Sequence, residues 1–122
     1  MTRSRDIEDR SFRFACAIVA LCERLFERGP GPRRVAYQLL DAGASVGANL
    51  EEAVAGQSRR DFIAKVGIAL KEARETRYWL RLLAACYEDL QPAIGPLAAE
   101  ATELIAILAA ISRNTRNHAS SD

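Results

Sequence analysis

Apolar residues recur at intervals of three and four along most of this chain, with polar residues between them. From Ser11 to Arg28 the residues Phe14, Ile18, Leu21, Leu25 and Phe26 form one helical stripe, which predicts a first helix over about 8–28. Gly29-Pro30-Gly31-Pro32 ends it, because two prolines and two glycines cannot continue a helix. Pro32 suits the first turn of the next helix, where its missing N–H is no loss. A second helix is predicted over 32–55, with Val35, Leu39, Ala42, Val46, Leu50 and Ala53 or Val54 along one side.

The centre of that helix, Ala42-Gly43-Ala44-Ser45-Val46-Gly47-Ala48, is unusually small. Each internal glycine costs roughly 1 kcal/mol of helix stability against alanine, so close approach of another helix must offset it. The Gly43-xxx-Gly47 spacing is that of a membrane dimer motif, but Asp41, Glu51 and Glu52 beside it point to packing within a water-soluble bundle. Gly56-Gln57 then makes a turn, and Ser58 with Asp61 forms a variant capping box.

The third helix is predicted over 58–88. Its main seam is Phe62, Val66, Ala69, Ala73, Thr76, Leu80, Leu83 and Tyr87; a second stripe, Ile68, Glu72, Glu75, Trp79, Leu82 and Cys86, lies beside it. One core seam does not need so much apolar surface. Gln91-Pro92 and Gly95-Pro96 separate this helix from a fourth, predicted over 93–114, with Leu97, Ala101, Leu104, Leu108 and Ile111 facing inward and Ile105 and Ile107 off that line. The tail 115–122 is polar and expected to be disordered. Short connections make sequential helices neighbours, so residues 1–122 are read as one all-α domain, an antiparallel up-down-up-down four-helix bundle.

Composition narrows the function classes. With 49% apolar and 27% charged residues the chain has the balance of a globular protein. A formal charge of +1 gives no whole-molecule field for nucleic acid or anionic membrane, so a polyanion site must be a local patch. The longest apolar stretch, Leu104 to Ile111, falls short of the roughly 20 residues a bilayer requires, so no membrane association is expected. Cys16, Cys22 and Cys86 show no ligand-like spacing and no signal peptide precedes them, which reads as a reduced, cytoplasmic protein.

Catalytic groups are scarce. His118 lies beyond the last apolar position, in the tail, where nothing would orient it as a base or metal ligand. Di-iron bundles use Glu-x-x-His pairs, and the chain has none, so no cofactor, metal or catalytic residue is assigned and the protein is read as not an enzyme. Two constellations remain. Asn49 and Glu52 on the second helix, with Glu72 and Glu75 on the third, are expected to form a polar network that fixes helix register. Ile68, Trp79 and Leu82 are the expected oligomer interface, an apolar surplus left after the core is filled. The alternative is a nucleic-acid contact by Arg59, Arg60, Lys71, Arg74, Arg77 and Arg81, although no aromatic residue is read among these arginines as a stacking platform.

The ordered set Ser45-Val46-Gly47-Ala48-Asn49, Glu52-Ala53, Ser58 to Lys65, Glu72-Ala73, Glu75-Thr76 and Tyr78-Trp79-Leu80 resembles the bacterial four-helix bundle family named for intervening sequences of 23S ribosomal RNA genes. Glu100 to Leu108 is similar to that family's closing segment. The resemblance implies a bundle that assembles into a ring-shaped homopentamer. It also extends, distantly, to the accessory variability determinant of diversity-generating retroelements, a basic pentameric barrel that works with a reverse transcriptase and RNA. The expected protein is therefore a non-catalytic homopentameric scaffold whose partner is itself. The alternative is an RNA- or DNA-binding accessory protein, with a reverse transcriptase or another protein as partner.

Overall fold

The structure is a computed structural model that describes residues 3–56 and 58–121, with side chains for 6–56 and 58–117. Four helices make up the described residues: α1 (Arg3–Phe26), α2 (Pro30–Ala55), α3 (Arg59–Cys86) and α4 (Gln91–Ser121), with a short 3-10 turn at Glu88–Leu90 before α4. No strand occurs among the described residues. Each helix packs on the next in sequence, and α1 meets α4 more sparsely, which closes the four-helix bundle.

The turns follow from their residues. Gly29 joins α1 to α2 with φ of 120°, a conformation that side chains rarely adopt, and Pro30 opens α2 directly behind it. Ser58 caps α3, its hydroxyl accepting a hydrogen bond of 3.0 Å from the Asp61 N–H. α4 starts earlier and runs further than its predicted span of 93–114. Pro92 falls in its first turn, where no N–H is required, while Pro96 lies inside the helix. The backbone stays helical through Ser121, across most of the stretch expected to be disordered; the His118 side chain and Asp122 lie outside the described residues.

All four seams meet in one core. Ile18, Leu25, Leu39, Val46, Val66, Leu80, Leu83, Leu104 and Leu108 are fully enclosed, and each such side chain contributes roughly 1.5–3 kcal/mol by leaving water. Ile7, Ala36, Leu90 and Ile94 join them. The small centre of α2 is the contact with α1. A Cβ added at Gly43 would lie 3.0 Å from Ile18 Cγ2, and one added at Gly47 would lie 3.6 Å from the Ser11 backbone. Gly43 and Gly47 thus admit the helix whose packing offsets their low helix propensity.

Ion pairs tie helices that are distant in sequence. Arg10 on α1 holds Glu100 on α4 through two bonds, Nη2 to Oε1 at 2.6 Å and Nε to Oε2 at 3.0 Å. The Glu100 hydrogen bond raises the Arg10 pKa, against a smaller lowering by burial. At the other end Arg28 donates to both Asp89 oxygens, at 2.7 and 3.0 Å, and lies over the Tyr87 ring.

By length and composition residues 88–117 are apolar enough to cross a membrane, which the short 104–111 stretch does not suggest. In the bundle, Ile94, Ala101, Leu104, Ile105 and Leu108 of that segment are buried against the other helices, and Glu100 is ion-paired.

Candidate functional site

The second stripe of α3 lies at the edge of the core, with Trp79 packed partly against it. Lys65 on α3 reaches Glu52 on α2, with Nζ 3.9 Å from Oε2, and further along the Asp41 carboxylate is close enough to act on the charge of Glu72. Across the border between α2 and α3, then, Glu52 meets Lys65 and Asp41 lies near Glu72, while Ile68, Glu75, Trp79 and Leu82 continue the stripe of Glu72 along α3. Ile68 is 40% exposed, while Glu72, Glu75, Trp79 and Leu82 are half-buried.

The polar groups here mostly bond within their own helices. Asn49 Nδ2 donates to the Ser45 carbonyl at 2.8 Å, and Trp79 Nε1 donates to Glu75 Oε2 at 3.2 Å. The buried Thr76 hydroxyl donates to the Glu72 carbonyl at 2.7 Å. The structure thus brings Glu72 and Glu75 together on α3 and Glu52 to Lys65 across the border, whereas the amide of Asn49 is used by its own helix. Burial pushes the Glu72 carboxyl above the usual range, and the nearby charges of Glu75 and Asp41 add to the rise, with Lys71 opposing it. Trp79 and Glu75 form one unit: the indole covers apolar surface while its N–H is satisfied by a carboxylate one turn away.

Beside this border runs the basic face of α3. Arg59, Arg60, Lys71, Arg74 and Arg81 are exposed and Arg77 is half-buried. The reading that no aromatic interleaves with these arginines needs correction. Tyr78 is 55% exposed and sits between Arg74 and Arg81 at helical spacing, its ring 5.2 Å from that of Trp79. It escapes a reading by seams because it lies on neither apolar stripe.

No group of three or more His, Cys, Asp or Glu residues among the described residues is placed to hold a metal. Cys22 is buried, its thiol donating to the Ala36 carbonyl at 3.4 Å, and burial pushes it up to about 11; Cys16 and Cys86 are exposed. Grooves occur between α1 and α2 and along the outer face of α3.

Glu52, Lys65 and Glu72 at this border are among the residues that carry the sequence resemblance, and residues 3–110 match the model of the 23S rRNA-intervening sequence protein family. The chain belongs to this family. It is also similar to a crystal structure from Bacteroides thetaiotaomicron, described as a protein with unknown function from the S23 ribosomal protein family. The two share 36% identity and superpose with a TM-score of 0.82, over 92% of this chain and 99% of that one. No functionally curated protein matches the chain. Membership of the family brings with it a bundle and no catalytic class, since the solved relative is itself of unknown function.

Proposed function

We propose that this family member is a non-catalytic scaffold that assembles with itself, as a cytoplasmic homopentamer of up-down-up-down antiparallel bundles. One observation carries the reading: with the core filled, large apolar side chains remain outside it. Phe12, Val19, Tyr37, Val54, Ile68 and Tyr78 are each at least 40% exposed, and Trp79 and Leu82 are only half-covered. Apolar side chains that lie together at the surface mark interfaces, and Phe12 lies with Val54 and Tyr78 with Trp79.

The order of contacts supports the antiparallel arrangement. Ile18 meets Gly43 while the earlier Ser11 meets the later Gly47, and Lys65 pairs with Glu52 while the later Glu72 lies near the earlier Asp41. Ile68, Trp79 and Leu82 form the proposed contact, with Glu72 and Glu75 beside them setting its register. Sedimentation of the wild-type chain and of Leu82→Asp tests this. The wild type should sediment as an oligomer at micromolar concentration and the variant as a smaller species of unchanged helicity. A monomeric wild type refutes the reading.

The exposed Tyr78 between Arg74 and Arg81 favours a second reading, contact with RNA or DNA through the basic face of α3. Binding to structured RNA should then fall steeply with salt, and no mobility shift at low salt would exclude it.

A further inference from the structure

The outer surface between α1 and α2 holds a groove of about 260 Å³. Its floor is Ala15, Ala44, Gly47 and Ala48, Phe12 forms a wall, and Glu8 and Glu51 stand at the rim. The same short side chains that let α1 and α2 approach leave this floor low, because where a larger residue would raise a ridge there is only a methyl group or a hydrogen. Phe12 is 65% exposed. Asp9 and Arg13 border the groove as well, so three acids and one base leave its rim negative.

On α3 the same chain presents a ridge of opposite sign. Arg74, Tyr78 and Arg81 follow one another at i, i+4 and i+7 on one exposed face, so the backbone position of Arg74 is about 6 Å before that of Tyr78 along the helix axis and Arg81 about 4.5 Å after it. Leu82 and Ala85 extend an apolar shelf beside them.

We propose that the α3 ridge of one copy seats in the α1–α2 groove of the next. Because Ser11 packs on Gly47, Glu8 and Glu51 stand opposite each other across one end of the groove; α3 of the next copy crosses it there, Tyr78 against Phe12 and Gly47, with Arg74 and Arg81 facing the two acids. This rests on the self-assembly reading above and widens its contact: the ridge of Arg74, Tyr78 and Arg81 lies on α3 beside Ile68, Trp79 and Leu82, and the groove is the surface it meets. Because the surfaces differ, the contact is head-to-tail, the kind that closes rings when its rotation permits. The aromatic supplies buried area, and the flanking charges fix the register and reject an offset pairing. A nucleic acid explains the ridge alone and leaves the acidic groove without a role, so a second copy is the better occupant.

Light scattering and circular dichroism on four chains test the pairing: wild type, Glu8→Arg/Glu51→Arg, Arg74→Glu/Arg81→Glu, and the chain carrying all four changes. The wild type should be oligomeric. Each double variant should keep its helicity while its self-association weakens about tenfold or more, and the fourfold variant, with both signs exchanged, should reassemble. A monomeric wild type overturns the assembly reading and this pairing with it. An oligomeric wild type with either double variant equally oligomeric overturns the pairing and leaves self-assembly standing. Should a double variant lose helicity, Tyr78→Ala decides: about tenfold weaker association supports the pairing, and unchanged association overturns it. If the ridge variant loses binding to structured RNA and keeps the parent mass, the ridge belongs to nucleic acid and the pairing is wrong.

Discussion

Alanine at Gly43 and at Gly47 should change stability in opposite directions, although the two glycines lie one turn apart on one helix. Either substitution recovers about 1 kcal/mol of helix propensity. At Gly47 the new methyl group meets the Ser11 carbonyl carbon, oxygen and Cβ at 3.6 Å, an ordinary packing distance. Nothing within the bundle then opposes the gain, and in the dissociated chain Gly47→Ala should stabilise by about 0.5–1 kcal/mol. At Gly43 the methyl group meets Ile18 Cγ2 at 3.0 Å, Cγ1 at 3.1 Å and Cβ at 3.3 Å. Ile18 is fully buried and β-branched, so it has neither space nor a second good rotamer to turn into. Overpacking of this kind costs about 1–3 kcal/mol, which leaves Gly43→Ala about 0–2 kcal/mol less stable than the parent. Urea unfolding at one fixed protein concentration reads both values, since assembly couples to stability. A Gly43→Ala chain as stable as Gly47→Ala would refute the argument. So would a double variant with Ile18→Ala whose loss equals the sum of the singles, because the added methyl group should refill part of the cavity and recover about 1 kcal/mol.

Other outcomes follow from single contacts. In the folded protein an alkylating reagent should modify Cys16 and Cys86 and spare Cys22 until denaturant is added; equal rates at all three thiols would contradict the burial that pushes Cys22 up to about 11. Because the folded Glu72 carboxyl titrates above its unfolded value of 4.5, the folded state binds more protons in the interval above that value, and stability falls as pH rises through it. Glu72→Gln should therefore be more favourable relative to wild type at pH 7 than at pH 4 in paired urea titrations, and a pH-independent difference would contradict the assignment. Ser58→Ala removes the acceptor for the Asp61 N–H and should cost about 1 kcal/mol in the same assay; no loss would mean that the cap is dispensable.

Much of the fold is legible in local periodicity because each helix carries its own seam. Phe14, Ile18, Leu21 and Leu25, or Val66, Ala69, Ala73 and Leu80, are predicted and found buried because a 3.6-residue repeat needs no knowledge of the partner helix. Ends are less legible. Pro92 and Pro96 look like barriers, yet Pro92 fits a first turn, so α4 begins at Gln91 and carries Ile94 into the core. Long-range pairs such as Arg10 with Glu100 are invisible in the sequence, since a spacing of 90 residues has no period. At the candidate site the ordered signature from Ser45 to Leu80 led to the family; of the surplus stripe Ile68 is exposed, while Trp79 and Leu82 are half-buried. The groove beside Phe12 was not legible, because it belongs to an outer face defined only once the bundle closes, whereas Tyr78 is passed over because it lies on neither apolar stripe. The side-chain bonds of Asn49 were equally hidden, since an asparagine on a helix can turn to a neighbour or to its own backbone, and here it donates to Ser45.

The central claim is self-assembly through side chains that the bundle leaves uncovered, and the mass of the particle in solution tests it most directly. Light scattering across a dilution series should give five times the 13.4 kDa chain mass at micromolar concentration, with the emission of Trp79, the one tryptophan, shifting to the red as the particle dissociates. A mass of 13.4 kDa throughout, with unchanged emission, would contradict it.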